Sequence, residues 1–159
     1  MQSTGLLFTI AQIAVGLVGF SAIIVTLNPQ PIRQWDDTDR LNLRTLIQVS
    51  ILVIFFSLLP PLLSIPFENH LVWLFALWVY GLVHIADVSF FLMNVTDDQP
   101  SFFRYVASCG VIVAITQLLI AWQGNDSARE TMYIIALVWH VGVVLMAFVI
   151  LLYQLREDE

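Results

Sequence analysis

The stretch Leu6-Leu7-Phe8-Thr9-Ile10-Ala11-Gln12-Ile13-Ala14-Val15-Gly16-Leu17-Val18-Gly19-Phe20-Ser21-Ala22-Ile23-Ile24-Val25-Thr26-Leu27 contains no charged side chain. At a helical rise of about 1.5 Å per residue it covers about 33 Å, enough to cross the hydrocarbon core of a bilayer. Four later stretches read the same way, at 41–63, 71–93, 102–122 and 132–155. Each break between them carries turn chemistry. The breaks are Asn28-Pro29-Gln30-Pro31, then Pro60-Pro61 with Pro66, then Asn94 to Pro100, then Gly124-Asn125-Asp126. The expectation is an all-α integral membrane bundle of five transmembrane helices, forming one membrane domain over residues 1–159.

Composition agrees. The chain is 59% hydrophobic and 11% charged. A soluble domain carries about 25% charged residues, so these charges are too few to cover a surface in water. The six basic residues are all arginine and stand against twelve acids, for a net charge of −6. That balance argues against nucleic acid as a partner and against a polybasic grip on anionic lipid. The single cysteine, Cys109, excludes an intrachain disulfide and reads as a small packing residue. The N-terminal Met-Gln-Ser-Thr-Gly lacks the positive start of a signal peptide, so the first apolar run reads as a span.

Arginine placement orients the chain. Arg33, Arg40 and Arg44 lie at the first loop, Arg104 by the third and Arg156 in the tail. Five spans put these on one side and leave only Arg129 on the other. The expectation is therefore a cytoplasmic C-terminus, an external N-terminus and an inner (plasma) membrane location. The same bias argues against a dual-topology dimer. An odd number of spans excludes paired inverted repeats.

Polar groups inside the spans are where chemistry would sit, because a charge at mid-membrane costs at least ~2.5–3.5 kcal/mol. The candidates for an ion or proton path are Asp87, His84, His140, Gln12, Gln48 and Gln117. In the third span Trp73, Leu77, Tyr80, His84, Asp87, Phe91 and Asn94 follow alternating steps of four and three, which places them on one helix face. Tyr133, His140, Ala147 and Gln154 repeat every seven residues in the fifth. His140, His84 and Asp87 could then form a descending ladder of ionisable groups, the arrangement membrane proteins use to relay protons or hold a coupling ion. The structural alternative is that Asp87 pairs with Arg44 and that each histidine bonds a carbonyl or a glutamine.

The vertical offset of about 12 Å between His140 and Asp87 is too large for a shared metal, and about 8 Å between the histidines disfavours a bridging haem. No Ser-His-Asp set, phosphate loop or Cys-x-x-Cys occurs. No enzyme activity, metal or cofactor is expected.

Small residues mark packing faces in lipid. The first span carries Gly5, Thr9, Gln12, Gly16, Gly19 and Thr26 along one stripe, and the fourth carries Ala107, Gly110, Ala114, Gln117 and Ala121. Gly16, Gly19, Gly110 and Ala114 are the helix-packing candidates. They serve either packing within the chain or a neighbouring subunit or pore. Ser50, Ser57 and Ser64 form a further heptad series, and Trp35 reads as a headgroup-level anchor.

The run Ala14 to Val25, the acid-rich and Arg-bearing first loop, and Leu58-Leu59-Pro60 resemble small uncharacterised bacterial multi-pass inner-membrane proteins. The resemblance covers about the first third of the chain. It implies the location and no known activity. The leading expectation is a small oligomeric channel or ion-conducting protein in the lipid bilayer. The other is a non-catalytic subunit or scaffold packed against a membrane-protein partner.

Overall fold

The computed structural model describes residues 3–28, 30–95 and 101–157, with side chains as far as Tyr153. Pro29 in the first break and the third break beyond Val95 lie outside the described residues, as do the side chains of Gln154 and Arg156. The elements in order are α1 (Thr4–Leu27), a 3-10 turn (Ile32–Gln34), α2 (Asp37–Leu63), α3 (Asn69–Asn94), α4 (Ser101–Gln123) and α5 (Asp126–Glu157). All five α-helices are long and apolar enough to cross a membrane. The chain is an all-helical bundle of the membrane type.

The helices outrun the apolar stretches because their ends are built from polar caps. Asp36 Oδ1 accepts the Asp39 N–H at 2.7 Å, so α2 starts at Asp37, before the first apolar residue. Asn125 Oδ1 accepts the Ala128 N–H at 2.9 Å, so α5 starts well ahead of its apolar run. Arg129 ties this corner together: its Nε donates to the Ala121 carbonyl at 3.3 Å, and its Nη1 lies 3.3 Å from Asp126 Oδ1.

Pro60 and Pro61 do not stop α2. The helix carries both and ends at Leu63, where a turn follows in which Ser64 N–H still bonds the Pro60 carbonyl at 3.0 Å. Proline removes its own N–H but leaves its carbonyl as an acceptor, so the turn beyond it can still close. Trp35 is 5% exposed, and its indole N–H donates to the Gln30 carbonyl at 2.9 Å, folding the first loop back on itself.

The chain forms two compact units. One is Leu59–Trp139, holding α3, α4, the end of α2 and the start of α5; the other is Ser3–Leu58 with the chain from His140 onward. In both, the inside combines large apolar side chains such as Leu7, Leu46, Trp73 and Leu137 with a few buried polar ones, and the outside also carries many large apolar side chains. Ser50, Ser57 and Gln117 are fully buried, while Phe55, Phe75, Ile112 and Trp122 are among the exposed residues. So many large apolar side chains facing outward would be unstable in water and suit hydrocarbon.

Candidate functional site

In the first unit α3 and α4 pack closely through glycine. A Cβ on Gly81 would lie 2.8 Å from Leu118 Cδ2. A Cβ on Gly110 would lie 3.3 Å from Val88 Cγ2, and 3.7 Å from both His84 Nε2 and Trp139 Nε1. This close approach lets a short polar bond span the two helices: His84 Nδ1–H donates to Gln117 Oε1 at 2.6 Å.

An aromatic layer closes over the pair. The Tyr80 ring stacks near His84, with centroids 6.2 Å apart at 25°, and meets Tyr133 at 5.2 Å. Tyr133 in turn meets Trp73 edge-on at 5.7 Å. The Tyr80 O–H donates to the Ala136 carbonyl at 3.2 Å, tying α3 to α5. No member of this cluster is more than 2% exposed. Two N–H groups in it, Gln117 Nε2 and Trp73 Nε1, are buried without a partner. Each costs about 1–3 kcal/mol until a polar atom meets it. The arrangement is a sealed knot that fixes helix register.

Asp87 lies one turn further along α3 and is half-buried. The shared face is buried from Trp73 to His84, partly open at Asp87 and Phe91, and exposed at Asn94. His140 is buried in α5 and belongs to the second unit, whereas His84 and Asp87 belong to the first. Arg44 and Gln48 are exposed on α2, where Arg44 Nε donates to Gln48 Oε1 at 3.3 Å. Among the described residues no group of three His, Cys, Asp or Glu could hold a metal ion.

The packing candidates divide. Gly110 and Ala114 face inward and are buried. Gly16 and Gly19 are exposed, with nothing within 4 Å of where a Cβ would stand. Packing within this chain therefore does not account for the stripe on α1. Gly5, Thr9, Gln12, Gly16, Gly19, Ile23 and Thr26 are all exposed, spaced by alternating steps of four and three. The opposite face, Leu7, Ile10, Ala11, Ala14, Leu17, Ser21 and Ile24, is buried. The outward seam is thus a shallow groove of small and polar residues. Leu6, Ile13, Phe20 and Leu27 form one wall and Phe8 and Val15 the other, all exposed. Cys109, expected as a packing residue, also faces outward.

Sequence reading passed over Asn42. It is 2% exposed with Nδ2 unpartnered, on the helix that also buries the unpartnered hydroxyls of Ser50 and Ser57. Its position among charged residues hid it, since only the tertiary packing turns it inward. Comparison with known protein families, curated proteins and solved structures finds no match to this chain.

Proposed function

We propose that the protein is a small oligomeric membrane channel in which copies join along α1 and the polar seam of that helix lines a path for a proton or small cation. The observation that supports this is the character of the seam. Like the other helices, α1 exposes large apolar residues such as Leu6, Phe8, Ile13 and Phe20, but between them runs a line of Gly5, Thr9, Gln12, Gly16, Gly19 and Thr26, broken only by Ile23. Hydrocarbon gains nothing from such groups, and a neighbouring helix or a narrow wet path does. The hydroxyls of Thr9 and Thr26 are already satisfied by the Gly5 and Ala22 carbonyls, at 3.0 and 2.8 Å. Gln12, about 12 Å along α1 from Thr4, is the seam's main polar contact.

His84 and Gln117 serve structure in this reading, since each satisfies the other inside a sealed cluster. Asp87, the only acid within the apolar stretches, is the charged candidate for proton transfer within its own unit. The function is conduction rather than catalysis, in an inner membrane, with the arginine-rich loops and the C-terminus in the cytoplasm. A reporter active only in the cytoplasm should work when fused after Glu159. Activity of a periplasm-only reporter at that position would reverse the orientation.

Flux through liposomes containing the purified protein tests conduction. Wild type should carry protons or monovalent cations above the level of empty liposomes. Asp87→Asn keeps the shape and removes the charge, so flux should fall and its pH dependence should change. A folded Asp87→Asn protein with unaltered flux removes Asp87 from the path. If stability falls instead and Arg44→Gln restores it, the pair is structural. An assembled wild-type protein without flux ends the channel reading and leaves a scaffold or non-catalytic subunit.

A further inference from the structure

The outward face of α2 changes character along its length. Arg40, Arg44, Gln48, Ile51, Phe55, Leu58 and Leu62 follow one another at steps of three or four and are all exposed, so they share one helix face. The first three are polar and the last four are large and apolar. Arg44 and Gln48 lie about 6 and 12 Å beyond Arg40 along the helix, inside the apolar stretch. Holding a charged side chain at that depth is expensive.

Two features reduce that cost. Helical side chains lean toward the N-terminus of their helix, so both residues reach back to the membrane surface where α2 begins. Gln48 Oε1 also accepts from Arg44 Nε at 3.3 Å, which orients the guanidinium. A guanidinium has five donors in a planar fork, enough to engage a phosphate as well as its bonds within the chain. The acid on the same face, Asp37, is bonded to Arg40, and Asp36 caps the helix through the Asp39 N–H. Beyond Gln48 the apolar strip from Ile51 to Leu62 runs about 16 Å, half the thickness of the hydrocarbon core.

We propose that this face is a binding site for one anionic phospholipid. Arg44 takes the headgroup phosphate, the Gln48 amide N–H meets the glycerol ester carbonyls, and an acyl chain lies along Ile51, Phe55, Leu58 and Leu62. The site is independent of assembly through α1.

Native mass spectrometry of the purified full chain tests it, with phosphatidylglycerol and phosphatidylcholine added in turn. Phosphatidylglycerol should be retained preferentially. Arg44→Gln should weaken that retention about tenfold, the scale of a lost charge-assisted hydrogen bond. Gln48→Leu should weaken it less, and Arg104→Gln, an exposed arginine on α4, should leave it unchanged. Excess inorganic phosphate should not compete. Equal retention of the two lipids overturns the site, as does retention unaffected by either α2 variant. Displacement by inorganic phosphate assigns a soluble anion instead of a lipid and also overturns it. Should Arg44→Gln fail to fold, Gln48→Leu keeps the charge and carries the test: unchanged phosphatidylglycerol retention in that variant rejects the proposal.

Discussion

Gly110→Leu is expected to destabilise the chain by about 3 kcal/mol or more, the upper range for forcing atoms into a packed interior. At this position a single methyl group would already meet Val88 Cγ2 at 3.3 Å, and His84 and Trp139 each at 3.7 Å. A leucine adds three more carbons in the same direction. Relief requires α3 and α4 to separate, and separation breaks the 2.6 Å bond between His84 and Gln117 inside an apolar surrounding. Gly81→Leu should act similarly, since its Cβ would stand 2.8 Å from Leu118 Cδ2. Thermal unfolding in mild detergent, followed by near-ultraviolet circular dichroism of the Trp73–Tyr133–Tyr80 cluster, reads the effect. A Gly110→Leu protein as stable as wild type would contradict the close α3–α4 packing described here.

The five helices were legible in the sequence because the bilayer imposes one simple rule, a long apolar run with few charges, and α1 through α5 obey it. Their ends were less legible. Asp36 and Asn125 extend α2 and α5 through side-chain caps that hydropathy does not weigh, whereas α2 ends at Leu63 as expected, with Pro60 and Pro61 inside it. The common face of Trp73, Tyr80 and His84 was readable from spacing, because helical periodicity dictates which residues align. A glutamine partner for His84 was among the alternatives, but which one was not readable, because Gln117 lies 33 positions away and is brought in by glycine packing. The stripes on α1 and α4 looked alike as sequence. Only tertiary burial separates them, with Gly110 enclosed and Gly16 bare. Arg44 and Gln48 were visible as polar residues in a span, but their shared outward position was not.

The seam on α1 should hold copies of the chain together without contributing to the fold of each. Gly16→Leu and Gly19→Leu should therefore disperse the oligomer while leaving thermal unfolding close to wild type, the reverse of Gly110→Leu. Leucine at either glycine would push two facing helices apart, because small residues are what allow backbones to approach in lipid. Gln12→Leu removes a polar bond worth about 1–2 kcal/mol in model membrane helices, and should weaken association about tenfold.

Disulfide cross-linking in native membranes tests the seam most directly. With Cys109→Ser as background, single cysteines are placed at each position from Gly5 to Thr26. Cross-linked dimers should peak at Gly5, Thr9, Gln12, Gly16, Gly19, Ile23 and Thr26, falling away at the buried positions Leu7, Ala14 and Leu17. Cross-linking that is absent throughout, or that shows no such period, would contradict assembly through α1.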